Sequence, residues 1–262
     1  MEILTPCALD EALRLKAEHP DALPIQGGTD VMVALNFDRS RPGTVLNLNE
    51  VEELRGWSRQ NGSLRLGAGL TYTEAMTGEL AELLPALAEA SRTVGSPQIR
   101  NRGTIGGNLG TASPAGDALP PLAIEAAEVE CASVRGTRRV PLTEFVTGVK
   151  RTVLADDELI TAAWVTPSQA PQTFMKVGPR NAMVIAVVSL AVSASDELRA
   201  CFGSASPRPV LVTAPRDEAG TFPEQVAAAA SPIDDVRGTA AYRRHALRVL
   251  TRRALERTLA QA

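Results

Sequence analysis

Two glycine-rich segments hold most of the residues that could do chemistry in this sequence. The longer one runs from Ser96 to Asp117 and combines five glycines with threonine, asparagine and aspartate side chains. Glycine lets a backbone N–H approach an anion closely and permits positive φ angles. Asp117 adds an acceptor for sugar hydroxyls. This composition is typical of a phosphate-binding segment, and the alternative is a long surface loop whose glycines only form turns.

The shorter segment is Gln26 to Asp30, between an apolar stretch that reads as a strand and a turn of helix. Backbone amides at such a junction can face an anion. The alternative is a tight connection in which Thr29 or Asp30 only caps the helix. The two segments lie roughly seventy residues apart and neither has the spacing of a Rossmann fingerprint. Taken together, they suggest a dinucleotide diphosphate held from two sides.

Other catalytic groups are scarce. The chain has two histidines and three cysteines, and no pair of cysteines has CxxC spacing. This argues against a histidine-based metal site, a catalytic triad, an iron–sulfur ligand set and a disulfide framework, so no metal is expected on this chain. Cys131 falls in a predicted strand and should be an inert core residue. Lysine occurs only at positions 16, 150 and 176. A lysine that falls in a site motif is therefore a candidate functional residue.

Composition narrows the class of protein. The 262 residues carry a net charge of −3, and 44% of them are hydrophobic. A slightly acidic chain of this kind does not favour nucleic acid as a partner. No apolar run approaches the roughly 18 residues of a membrane helix, and the N-terminus lacks a signal-peptide pattern. We therefore expect a cytoplasmic protein with no membrane partner, built as one large domain or two small ones.

Hydrophobic periodicity and turn residues predict a mixed α+β fold. The first 50 residues read as a small β–α–β unit, Asn61-Gly62 marks a hairpin, and Thr71 to Glu74 form a capping box. Further helices are predicted at 9–18, 31–35, 71–80, 85–92, 122–127, 226–230 and 239–262, a glycine-rich loop at 95–117, and strands at 23–25, 44–48, 158–165, 174–177, 182–194 and 198–202, with a hairpin over 128–142.

Several motifs, in order along nearly the whole chain, resemble one family. They are Gly27–Asp30, Ser96–Asn108, Thr111–Asp117, Asp157–Ile160, Lys176–Ala186 and Asp235–Arg244. The sequence resembles the FAD-binding medium subunit of the molybdenum hydroxylases, a group that includes xanthine dehydrogenase and aerobic carbon monoxide dehydrogenase. The resemblance is closest to the xanthine dehydrogenase branch. One departure is Gln26, where many members of the family have alanine.

The resemblance implies a two-lobed FAD-binding domain of the p-cresol methylhydroxylase or vanillyl-alcohol oxidase type over residues 1–168. Its first lobe would span about 1–55 and its second about 56–168. A smaller C-terminal α+β domain of the molybdenum hydroxylase flavoprotein type would occupy residues 172–262.

The resemblance also implies a set of residues that bind FAD without a covalent link. In this interpretation Leu23 to Val31 wrap the diphosphate, and the central glycine motif grips it from the other side. Ser113 and Asp117 help to hold the nucleotide, while Ile160 and Lys176 lie near the isoalloxazine. The full set is Leu23, Pro24, Ile25, Gln26, Gly27, Gly28, Thr29, Asp30, Val31, Gly103, Thr104, Ile105, Gly106, Gly107, Asn108, Ser113, Asp117, Ile160 and Lys176.

For function, the resemblance implies an oxidoreductase subunit, with no catalytic residue on this chain beyond the flavin. Electrons would leave the substrate at a molybdopterin large subunit, pass through two 2Fe–2S clusters of a small subunit, reach FAD here and leave to NAD. The complex would be a dimer of heterotrimers, most like xanthine dehydrogenase. Alternatives are a carbon monoxide dehydrogenase or another aromatic or heterocycle hydroxylase, a stand-alone flavin oxidase of the vanillyl-alcohol oxidase fold, and a flavin-binding storage or regulatory module.

Overall fold

The computed structural model describes residues 1–260. Its first unit is a three-stranded parallel sheet with strand order β1-β3-β2, covered by a helix that buries Ala12 and Leu13. Parallel neighbours need a crossover connection, and this one is helical. The elements are β1 (Glu2–Leu4), α1 (Leu9–Glu18), β2 (Leu23–Ile25), α2 (Val31–Asn36) and β3 (Thr44–Asn47).

The second unit is a five-stranded antiparallel sheet with a layer of short helices on one face. Its strands are β4 (Trp57–Gln60), β5 (Ser63–Gly67), β6 (Glu128–Ser133), β7 (Gly136–Pro141) and β10 (Leu159–Val165), in the order β4-β5-β10-β6-β7. A small hairpin of β8 (Val146–Gly148) and β9 (Arg151–Thr152) stands beside it. The helices are α3 (Tyr72–Ala75), α4 (Gly78–Leu83), α5 (Pro85–Thr93), α6 (Pro97–Arg100), α7 (Ile105–Thr111), α8 (Leu119–Ile124) and α9 (Leu142–Phe145).

The last unit is a four-stranded antiparallel meander backed by two helices. Its elements are β11 (Gln172–Val177), β12 (Val188–Ala194), β13 (Glu197–Gly203), β14 (Val210–Pro215), α10 (Phe222–Ala229) and α11 (Ala240–Leu259). The buried carboxylate of Glu125 accepts hydrogen bonds from Ser168 and Gln172, and Glu89 accepts from the backbone of Phe174. These bonds hold the meander against the second unit.

The structure confirms most predicted elements and corrects several of them. The helix predicted at 122–127 begins at Leu119 and ends at Ile124, and the last two residues of the helix predicted at 239–262 lie outside the described residues. The predicted loop over 95–117 contains α6 and α7, which are capped by Ser96 and Thr104. The helix expected to run to Leu80 is broken into α3 and α4. The strand expected at 182–194 begins only at Val188, and β14 was not anticipated. Among the helices described for residues 1–260, none is long and apolar enough to span a membrane.

Candidate functional site

The segment after β2 presents a row of unused backbone donors. The six amides from Gln26 to Val31 donate to no acceptor within residues 1–260. Gly28 has a φ of +73°, which turns the chain so that successive N–H groups can converge. A run of free amides around a residue with positive φ is typical of an anion-binding nest. Half-buried amides that lead into the start of α2 and have no protein partner are free to bind an anionic group.

The two glycine segments touch each other. A Cβ on Gly27 would stand 2.1 Å from the backbone oxygen of Arg102, so only glycine allows this approach. The Arg102 guanidinium in turn reaches the Gln26 carbonyl at 3.4 Å and the Asn49 amide oxygen at 3.0 Å. On the other side, the Thr111 hydroxyl donates to Asp30 at 3.1 Å. These contacts hold the two segments together around one cleft.

The second glycine segment is built differently from the first. The amides of Ile105 and Gly106 donate to the carbonyls of Leu70 and Ala68 at 2.9 and 2.8 Å. The Gly107 amide donates to the Thr104 hydroxyl at 3.0 Å. Most of the donors at the start of α7 are therefore already paired within the protein. This segment supplies a close-packed wall, whereas the first segment supplies the free amides.

Between the two segments lies a cavity of about 320 Å³, which we call the site cavity. Its wall contains every residue from Leu23 to Val31, together with Gly103, Thr104, Gly106, Gly107, Asn108 and Ile160 from the predicted set. Apolar side chains close it at Leu48, Leu154 and Leu159. The volume falls within the range of small-molecule clefts, and an apolar wall beside a row of amides suits a ligand with a ring system and a charged group.

Comparison with known proteins decides the family. The family model described as the FAD binding domain in molybdopterin dehydrogenase matches residues 1–165. The chain is a medium subunit of the molybdenum hydroxylases. The xanthine dehydrogenase FAD-binding subunit of Escherichia coli O157:H7 is 30% identical to it, covering 97% of this chain and 94% of that relative.

Two further relatives agree with this assignment. The nicotinate dehydrogenase FAD-subunit of Eubacterium barkeri is 35% identical, covering 74% of this chain and 69% of that relative. The crystal structure of quinoline 2-oxidoreductase from Pseudomonas putida 86 superposes with a TM-score of 0.93 at 25% identity, covering 100% of this chain and 98% of that one. The medium subunit is thus an oxidoreductase subunit with the α+β fold of this family.

The site cavity fits the cofactor of this family. FAD joins a flat aromatic ring system and an adenine through a diphosphate. The free amides of Gln26 to Val31 would hold the diphosphate, and the apolar side chains of Leu48, Leu154 and Leu159 would contact a ring.

Four residues of the predicted set lie outside the wall of the site cavity. Ile105, the first residue of α7, is fully buried in the hydrophobic core. The Ser113 hydroxyl accepts a hydrogen bond from the Ala115 amide at 3.3 Å, as in a local turn. Asp117 and Lys176 bind each other instead, with 2.6 Å between the Asp117 carboxylate and the Lys176 ammonium.

The Asp117–Lys176 ion pair is sealed from solvent. Each side chain is only 7% exposed, and the second carboxylate oxygen of Asp117 has no hydrogen-bond partner among the described residues. Burial raises the pKa of the Asp117 carboxyl above its usual range, and the nearby Lys176 ammonium opposes part of that rise. The pair links the end of the second glycine segment to β11, so it joins two units of the fold.

Sequence reasoning missed two polar residues of the wall, Thr111 and Tyr72. Thr111 lies in a motif that was singled out, whereas Tyr72 does not. Tyr72 is 5% exposed, and its backbone amide donates to the Gly103 carbonyl at 3.1 Å. The capping box of Thr71 and Glu74 was recognised in the sequence, but a helix start gives no sign that its first side chain points into a cleft 30 residues away along the chain. Leu48 and Leu154 were missed for the same reason, since apolar residues carry no local signal for a ligand.

Proposed function

We propose that the medium subunit binds FAD non-covalently in the site cavity, with Leu23 to Val31 around the diphosphate and Gly103 to Asn108 on the opposite side. The observation that carries this proposal is the row of six free amides at the cavity wall. Positive charge is not needed there, because the dipoles of free N–H groups can supply the electrostatic attraction. Residues 1–168 would form the FAD-binding domain and residues 172–262 the C-terminal domain.

The remaining predicted contacts extend the proposal beyond the cavity. Ile160 lies in its wall and is placed near the isoalloxazine, with Lys176 on the same side. Ser113 and Asp117 are placed beside the nucleotide. These three polar residues lie outside the cavity wall, so this part of the proposal requires the cofactor to reach further along the second glycine segment. Because Asp117 and Lys176 are 2.6 Å apart, both would lie beside the same part of the cofactor, the flavin nucleotide.

We further propose that the subunit works in a heteromeric complex of the xanthine dehydrogenase type, arranged as a dimer of heterotrimers. FAD, when bound, can take up electrons one at a time and release a hydride. A small subunit with 2Fe–2S clusters would deliver the electrons, a molybdopterin large subunit would oxidise the substrate, and NAD would be the acceptor. Support comes from the relatives, which are themselves named as subunits, one of them of xanthine dehydrogenase.

The complex purified from the native host tests this assignment. With xanthine as the substrate, the complex should reduce NAD. Activity only with carbon monoxide, or only with a heterocycle other than xanthine, would place the subunit in a different branch of the same family. A yellow monomer that oxidises a small alcohol by itself would support the stand-alone oxidase. In the described chain, Asp30 and Tyr72 are the only ionisable side chains of the cavity wall, which offers little acid–base chemistry for such an oxidase.

The non-covalent attachment gives a direct prediction. No histidine or cysteine lies in the wall of the site cavity within residues 1–260, and these are side chains that could form a bond to a flavin ring. Acid precipitation of the purified yellow subunit should therefore release all of its flavin into the supernatant, measured by absorbance. Free FAD added to the same protein before precipitation serves as the recovery control. Flavin that remains in the washed pellet would contradict non-covalent binding.

A further inference from the structure

Tyr72 is held in one place by both its backbone and its ring. It is the first residue of α3, after the N-cap residue Thr71, whose side chain accepts from the Glu74 amide. A Cβ on Gly103 would stand 3.1 Å from two carbons of the Tyr72 ring, so the ring lies directly against the second glycine segment. The position of the phenol is thus set by α3 and by Gly103 together.

The hydroxyl of Tyr72 has no protein partner and opens into the site cavity. It makes no hydrogen bond with any residue from 1 to 260, and its oxygen is not completely buried. Since Tyr72 is 5% exposed and forms part of the cavity wall, the remaining access to this hydroxyl comes from the cavity. Buried tyrosine hydroxyls usually find a hydrogen-bond partner, so a ligand in the cavity is the natural acceptor.

The charges around Tyr72 indicate which part of a ligand it meets. Burial, together with the carboxylates of Asp117 and Asp30, raises the pKa of the phenol, so it stays protonated and acts as a donor. No lysine or arginine lines the site cavity within residues 1–260, and Lys176 is already paired with Asp117, so no side-chain cation attracts a phosphate to this point. A neutral hydroxyl can accept from Tyr72. The free amides that suit a phosphate lie instead along Gln26 to Val31.

We propose that Tyr72 is a positioning residue whose hydroxyl donates a hydrogen bond to a sugar or ribityl hydroxyl of FAD, and not to the diphosphate. The inference rests on the proposed FAD site and adds a contact that orients the cofactor along the cleft. One donor at a fixed point, together with the amides of the first glycine segment, defines two points along the cofactor and so limits its sliding in the cleft.

The test compares Tyr72→Phe with Tyr242→Phe in the full-length chain. These are the two tyrosines of the sequence, and Tyr242 is 48% exposed on α11. Tyr72→Phe should weaken FAD binding about tenfold, which is about 1.4 kcal/mol, while Tyr242→Phe should bind like the wild type. Without FAD, Tyr72→Phe should unfold at the same temperature as the wild type or higher, because it removes a donor that has no protein partner. A merely structural role for the hydroxyl would lower stability in both states.

Competition by FMN and ADP locates the contact. A ribityl contact should weaken FMN binding to Tyr72→Phe and leave ADP unchanged, whereas a ribose contact should do the reverse. Equal weakening of both would place the hydroxyl at a phosphate and overturn the assignment, and unchanged FAD affinity would remove Tyr72 from the site altogether. If the wild-type chain itself fails to bind FAD, it is the proposed function that fails, so the two failures are distinguishable.

Discussion

Gly107→Val should bind FAD roughly 100-fold more weakly than the wild type, a loss of about 2.7 kcal/mol, and still fold. Gly107 lies in the wall of the site cavity, and a Cβ there would meet only the Thr104 hydroxyl, at 3.0 Å. The valine side chain therefore has no backbone to collide with. Its two methyl groups would stand in the cleft between the glycine segments, where the cofactor is proposed to lie.

Folding of this variant should remain close to that of the wild type. The φ of Gly107 is not in the positive range, and the residue lies inside helix α7, where valine is a better helix former than glycine. The loss of the bond between the Gly107 amide and the Thr104 hydroxyl should cost about 1 kcal/mol at most.

The matched control is Gly220→Val, because Gly220 also has open space at its Cβ position and does not line the site cavity. Both variants should be compared by urea unfolding without FAD and by titration with FAD. A well-folded Gly107→Val chain with wild-type FAD affinity would show that the second glycine segment does not border the cofactor.

The sequence predicted the elements whose signals are local. Asn61-Gly62 predicted the turn between β4 and β5, and the capping box at Thr71 predicted the start of α3, because both signals act over a few residues. The glycine segment over 95–117 was expected to be a loop. Its helices α6 and α7 are only four and seven residues long, and helices of that length depend on caps and on contacts such as the bond from Ile105 to Leu70.

The backbone groups of the candidate site were easier to predict from the sequence than its side chains. The free amides of the first glycine segment were predictable, because glycines between a strand and a helix are themselves a signal for them. Tyr72 and the partner of Lys176 depend on how distant segments pack together. Asp117 and Lys176 are separated by 59 residues in sequence, and nothing in the pattern around either residue indicates the other.

The Asp117–Lys176 ion pair changes what Lys176 can contribute. The resemblance placed its positive charge near the isoalloxazine, but in the structure a carboxylate 2.6 Å away balances that charge. Lys176→Met should lower the free energy of unfolding by about 3–5 kcal/mol, since it leaves a buried carboxylate without its partner.

Asp117→Asn should also destabilise the chain, because it leaves the buried Lys176 ammonium without its partner, and the double variant should recover much of the loss. Arg59→Met, which breaks the exposed pair with Glu79, is the control and should change stability little.

The loss of stability in Lys176→Met should depend on pH, and the direction follows from the pKa of Asp117. In Lys176→Met, burial still raises the pKa of the Asp117 carboxyl, and the ammonium that opposed the rise is gone. The folded state then binds a proton more tightly than the unfolded state, whose carboxyl titrates near its ordinary value. The folded variant is therefore most stable when this carboxyl is protonated, and its stability falls as the pH rises through the folded-state pKa. Urea unfolding at pH 5 and pH 8 should show the smaller loss, relative to the wild type, at pH 5. An equal loss at both pH values, or additive losses in the double variant, would mean that the two side chains contribute independently and that the buried pair does not act as a unit.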